Sequence, residues 1–195
     1  MELNFILVCK SGGCYTAEYV NRLAAALTPY GRVTCLTDTP EGMDCRTLPL
    51  FTDLPSWWAK LEMFARFRSG RNVYFDLDTV ITGDITPLIE MPGPFAMLQD
   101  FHYPGRLASG VMVWDGDYSR ILRVFKPEYM DRYAALPKLG DQAYIADQLA
   151  QCRVIQEEVP GLVASYKVDS EEARKAAAIV CYHGLPRPHE TNWNV

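Results

Sequence analysis

Within its first 37 residues the sequence commits to a parallel sheet. Phe5-Ile-Leu-Val8 is an apolar run of strand length and ends in the glycine-containing loop Lys10-Ser-Gly-Gly-Cys14. Thr16 caps a predicted helix whose apolar positions, Val20, Leu23, Ala24 and Leu27, recur at the helical period. Pro29 and Gly31 stop it, and Val33–Leu36 reads as the next strand. Strand, helix and strand in that order form a βαβ unit. In such sheets ligands sit outside the carboxyl ends of the strands.

The rest of the chain continues the pattern. A helix is predicted in PSWWAKLEMFARF, with Ser56 as cap and Trp58, Leu61, Phe64 and Ala65 on one face. Val73–Phe75, Phe95–Leu98 and Gly110–Trp114 read as strands, as does Ala178–Tyr182 near the end. Helices are predicted over Tyr118–Phe125, Glu128–Ala135 and Asp141–Gln151. No repeat or low-complexity linker interrupts them. The expectation is one α/β domain over residues 1–195, with a mixed central sheet flanked by helices.

Composition narrows the partners. Net charge is −5, with no block of lysine or arginine, so nucleic acid is not an expected partner. The densest basic cluster, Arg66, Arg68 and Arg71, reads as a solvated helix end or a phosphate contact. Nothing approaches the ~18 apolar residues of a membrane span, and no basic leader precedes Phe5. The six cysteines are scattered without a CxxC pair, which suits a reduced, cytoplasmic protein.

The stretch NVYFDLDTVITGDI, residues 72–85, carries the chemistry. Val-Tyr-Phe is a buried strand, and Asp76 and Asp78 follow at its carboxyl end. At strand spacing i and i+2 they project to one face, with Leu77 opposite. Two carboxylates so close need a proton or a cation between them. Hard oxygen ligands favour Mg²⁺ or Mn²⁺.

FDLDTVI resembles two enzyme motifs. One is the first motif of haloacid-dehalogenase-type aspartyl phosphohydrolases, with Asp76 as nucleophile. The other is the DxD motif of GT-A glycosyltransferases, where both carboxylates hold a metal on a nucleotide-sugar diphosphate. The phosphohydrolase motif usually lies on the first strand, whereas here a complete βαβ precedes it. That class also needs a later strand ending in acids, and GDQAYIAD (Gly140 to Asp147) follows no apolar strand.

Four further segments are similar to the glycosyltransferase family of glycogenin and the bacterial lipooligosaccharide galactosyltransferases. They are Trp-Ala-Lys-Leu (58–61), Ser-Gly-Val-Met-Val-Trp (109–114), Gly-Asp-Gln (140–142) and His-Gly-Leu-Pro-Arg-Pro (183–188). The resemblance implies a GT-A fold, a nucleotide-sugar donor (a UDP-hexose), a saccharide or other small acceptor, and transfer with retention. It implies Asp76, Asp78 and His183 as ligands of Mn²⁺ or Mg²⁺, and Lys60 and Arg187, with Gly184, at the diphosphate. Asp141 and Gln142 would face the donor sugar, with Asp100 near donor or acceptor hydroxyls. Backbone groups of Cys9 and Lys10 would meet the base, and Tyr15 would stack on it.

Other roles stay open at several of these positions. Asp141 can cap its helix, Tyr15 can serve in packing, and Cys181 shares a face with His183. Ala108 stands where the family has asparagine, so a nucleotide-sugar-binding domain without turnover is a third reading.

Overall fold

The computed structural model describes residues 2–135 and 140–195. Seven strands form its central sheet: β1 (Leu3–Cys9), β2 (Arg32–Thr37), β3 (Arg46–Pro49), β4 (Arg71–Phe75), and, further along the chain, β6 (Phe95–Gln99), β7 (Leu107–Asp115) and β8 (Arg153–Val154). Their order is β3-β2-β1-β4-β7-β6-β8. Only β7 runs against the rest, pairing antiparallel with both β4 and β6. The expected mixed sheet is therefore present, with β3 and β8 added at its edges. Both are too short to print an alternation in the sequence.

Side chains alternate across this sheet, and each face has its own apolar layer. Phe5, Leu7, Val73, Phe75, Val111 and Val113 join Val20, Leu23 and Leu27 of the helix Ala17–Leu27 on one side. Ile6, Tyr74, Met112 and Trp114 meet Trp58, Leu61 and Phe64 on the other. A sheet buried on both faces needs apolar residues at successive positions. This is why FILV and VYF read as unbroken runs.

A smaller sheet positions the site. It contains β5 (Thr79–Ile81), β9 (Val163–Ser165) and β10 (Ile179–Cys181), in the order β5-β10-β9. β10 lies antiparallel to β5 with Cys181 opposite Thr79. The Tyr182 N–H then donates to the Asp78 carbonyl at 3.0 Å. Residues from the far end of the chain are thereby laid beside the aspartates.

Several sequence expectations change in detail. The segment after Pro55 is a 3₁₀ helix over Ser56–Glu62 that becomes α-helical at Met63–Arg66, and Ser56 has φ +52° instead of capping it. The helix expected over Asp141–Gln151 spans Gly140–Asp147. Gln148 and Leu149 donate to carbonyls three residues back, the tightening that ends many helices. The helix expected over Tyr118–Phe125 is Arg120–Arg123. Arg71 is not on a solvated helix end. It lies buried in β4, with Nη1 on Asp115 at 2.7 Å and other guanidinium donors on the carbonyls of Leu88, Ile89 and Met91.

Candidate active site

The carboxyl ends of β1 and β4 open into a cleft of about 1040 Å³. Lys10, Tyr15, Lys60, Asp76, Asp78, Asp141, Gln142, His183, Gly184 and Arg187 line it. Of the residues named from sequence, Cys9 and Asp100 are not among its lining. Cys9 points into the core, where burial, with Asp38 adding to it, pushes its thiol up to about 11.

Asp76 and Asp78 line one cleft, but a turn and not a strand carries them. After Phe75 the chain turns, with Thr79 N–H donating to the Asp76 carbonyl at 3.1 Å. Asp76 stays on the Tyr74 side and accepts from Tyr74 Oη at 2.5 Å and Lys60 Nζ at 2.8 Å. Asp78 has other partners, and its Oδ2 accepts from Tyr15 Oη at 2.9 Å and Gly184 N–H at 3.2 Å. Burial raises the Asp78 carboxyl above its ordinary range, and the Asp76 charge adds to that.

Lys60 is buried, and an ammonium has three donors. They meet Asp76 Oδ1 at 2.8 Å, Ser109 Oγ at 3.1 Å and Asp141 Oδ2 at 3.2 Å. Ser109 Oγ in turn donates to Asp141 at 2.6 Å. Burial works against the Lys60 charge, but Asp141 and Asp76 outweigh it and the net shift is upward. Lys60, expected at a phosphate, thus braces two carboxylates from distant parts of the chain. Sequence reasoning had no signal for Ser109 in this role, because its partners lie 49 and 32 residues away.

The other candidates divide between bound and available. Lys10 pairs with Asp38 at 2.8 Å and Asp53 at 3.4 Å. The Tyr15 ring carries the Arg187 guanidinium 5.1 Å from its centroid and meets Tyr19 edge-on. Gln142 Nε2 donates to Asp100 at 3.2 Å, and Asp100 also accepts from the backbone of His102 and Tyr103. His183 Nε2 lies 2.6 Å from Ser165 Oγ, with Phe101 stacked on its ring. Burial, then Lys167, lowers the imidazole to about 4, so it is neutral at physiological pH.

The donor chemistry can be tested for a cation. Asp76, Asp78 and Asp141 stand against Lys60, which leaves carboxylate charge in excess, and Arg187 beside Asp78 offsets part of it. A buried excess of hard anionic oxygen suits a divalent ion. Among the described residues, however, no three of His, Cys, Asp and Glu are gathered as a ready ligand set. The two aspartates fit such an ion; His183, turned to Ser165, does not close the set in this arrangement.

No family model matches this sequence, and no curated protein matches it. Solved structures do. The galactosyltransferase LgtC, solved with donor and acceptor sugar analogs, superposes with a TM-score of 0.67 at 13% identity, over 95% of this chain and 88% of that one. The glycosyltransferase GlyE of Streptococcus pneumoniae TIGR4 gives 0.64 at 12%, over 96% of this chain but 56% of its own. A glycosyltransferase involved in glycosylation of the PBCV-1 major capsid gives 0.57 at 12%, over 94% and 95%. The chain has the GT-A fold that these glycosyltransferases share.

Proposed function

We propose that this chain is a metal-dependent glycosyltransferase, moving a hexose from a UDP-linked donor to an acceptor hydroxyl with retention. The observation that carries the reading is the bracing of Asp76 and Asp141 by the buried ammonium of Lys60, beside an Asp78 tied to Gly184. It joins the DxD motif, the Asp-Gln pair and the terminal His-Gly motif in one cleft of a glycosyltransferase fold.

Asp76 and Asp78 would hold Mn²⁺ or Mg²⁺, with the neutral His183 joining them by giving up Ser165. When bound, the ion would neutralise charge developing on the diphosphate leaving group. Arg187 is the cation best placed to add to that, since Lys60 and Lys10 are already paired with carboxylates. Asp141, held by Lys60 and Ser109, would present its charge toward the oxocarbenium-like anomeric carbon, and Gln142 would orient hydroxyls. The loop after β1 would take the base. No helix among the described residues is long and apolar enough to cross a membrane. Six scattered cysteines without a CxxC pair support a reaction in the cytoplasm.

The phosphohydrolase reading loses its second motif, because GDQAYIAD lies on the helix Gly140–Asp147 and not at a strand end. The reading without turnover rested on Ala108, which packs against the apolar layer of Leu98 and Val111 and is not in the cleft lining. Thermal denaturation with Mn²⁺ and UDP, each alone and together, tests the proposal. Joint stabilisation of about 2.7 kcal/mol at a hundredfold excess over Kd is expected. No shift with the pair, or a shift without any UDP release from UDP-hexoses, overturns it.

A further inference from the structure

The tyrosine two residues before Asp76 has no role in the reading above. Tyr74 is buried in β4, and its ring belongs to the apolar layer of Ile6, Leu61 and Met112. Its edge nevertheless lines the cleft beside Lys60 and Asp76. A buried phenol needs a partner, and this one donates to Asp76 Oδ1 at 2.5 Å. That is the length of a charge-assisted bond from a hydroxyl to a carboxylate. The same ring has Lys60 Nζ 5.1 Å from its centroid, and that ammonium also donates to Asp76 Oδ1. One side chain thus touches both members of the ion pair.

The bonds to the two aspartates follow one pattern. Each carboxylate oxygen has two lone pairs to offer. On Asp76 Oδ1 they go to Tyr74 and Lys60, and on Asp78 Oδ2 to Tyr15 and Gly184. Among the described residues no donor reaches the second oxygen of either, Asp76 Oδ2 or Asp78 Oδ1. Each aspartate therefore keeps one oxygen tied to the protein and one in reserve. The main chain at Asp76 is pinned as well, since its N–H donates to the Gly110 carbonyl at 2.7 Å. Gly110 leaves the reserved oxygen uncovered: a Cβ there would stand 3.5 Å from Asp76 Oδ2.

A carboxylate held only at its backbone can turn either oxygen outward, and ordering it on binding a cation costs entropy. A hydroxyl fixed by the packing of its own ring removes that choice beforehand. Partners behind a metal ligand commonly act in this way, and their loss weakens the metal ~10–100-fold. A tyrosine on a carboxylate can also serve the fold alone. Tyr133 is such a case: its Oη donates to Asp147 at 2.6 Å, in the same apolar layer but outside the cleft lining.

We propose that Tyr74 is a positioning residue for Asp76, its hydroxyl joining Lys60 on Oδ1 so that Oδ2 is the oxygen turned to a divalent cation. This rests on the glycosyltransferase reading, with Asp76 as a cation ligand. The test titrates Mn²⁺ into wild type, Tyr74→Phe and Tyr133→Phe, without nucleotide and again with UDP, following free Mn²⁺ by electron paramagnetic resonance. Chemical denaturation gives the stability of all three. Tyr74→Phe keeps the ring and its packing, and its Kd for Mn²⁺ should rise about tenfold wherever wild type binds. Tyr133→Phe loses a bond of the same kind and should bind Mn²⁺ as wild type does, even if it loses as much stability. Equal Kd values in Tyr74→Phe and wild type, or equal weakening in both variants, overturn the positioning role and spare the transferase reading. No Mn²⁺ binding by wild type in either titration overturns both.

Discussion

The backbone N–H of Gly184 donates to Oδ2 of Asp78 at 3.2 Å, a bond between residues 106 apart in sequence. With Tyr15 Oη on the same oxygen, it holds a carboxylate that burial and Asp76 would otherwise push toward its neutral form. Asp78→Asn removes that buried charge while keeping an acceptor for both donors. The apo protein should melt no lower than wild type. Stabilisation by Mn²⁺ with UDP should disappear, and sugar transfer should fall by ~10²–10³ or more. A variant that still responds to the metal would place the ion elsewhere.

Lys60 serves two carboxylates at once, so its loss should cost folding energy as well as turnover. Lys60→Met leaves Asp76 and Asp141 without their shared cation and should lower stability by about 3–5 kcal/mol. Lys60→Arg should not rescue it, because a planar guanidinium cannot reach three closely set acceptors as an ammonium does. Chemical denaturation followed by fluorescence reads the difference. Full stability in Lys60→Met would show that the ion pairs contribute nothing.

Arg71 offers a contrast far from any chemistry. Arg71→Met strands Asp115 and the carbonyls of Leu88, Ile89 and Met91. We expect about 3 kcal/mol less stability, with donor KM in the surviving folded protein unchanged. A shift in KM would mean that this end of β4 communicates with the cleft.

The thiols should separate by reactivity. Only the thiolate attacks alkylating reagents. Burial raises Cys9 to about 11 and Cys152 to about 11, so both are almost wholly protonated at pH 8. Cys35 and Cys181 are also buried and raised. Cys14 is exposed and lines the cleft. Iodoacetamide at pH 8 should label Cys14 first, and UDP with Mn²⁺ should protect it, as peptide mass spectrometry would show. Faster labelling of Cys9 would mean that the end of β1 opens.

What the sequence revealed follows from the range of the forces involved. The βαβ start and the site-bearing run Val73–Phe75 were legible because burial on both faces of a sheet writes itself into consecutive residues. Strands of two to four residues, β3, β5, β8 and β9, carry no such record. Arg71 was misread because RxRxGR has the composition of a surface, while its burial depends on carbonyls 17 to 20 residues downstream. The Asp76 and Asp78 motif was plain, yet the separate partners of its carboxylates were not, since Lys60, Tyr15 and Gly184 reach them from distant parts of the chain. The helical period picked Trp58 and not Trp57 for the apolar face, and Trp58 is the buried one.

The three-strand sheet has a consequence for synthesis. β5 is made early, but its partner β10 emerges roughly a hundred residues later, and Gly184 later still. Until then a nascent chain on the ribosome can pair β1, β2 and β4, yet only Tyr15 of the two donors to Asp78 Oδ2 has been made. That side of the cleft is therefore completed only once Gly184 has been made, and a chain released before residue 179 would keep its first strands while lacking the backbone donor that reaches across to Asp78.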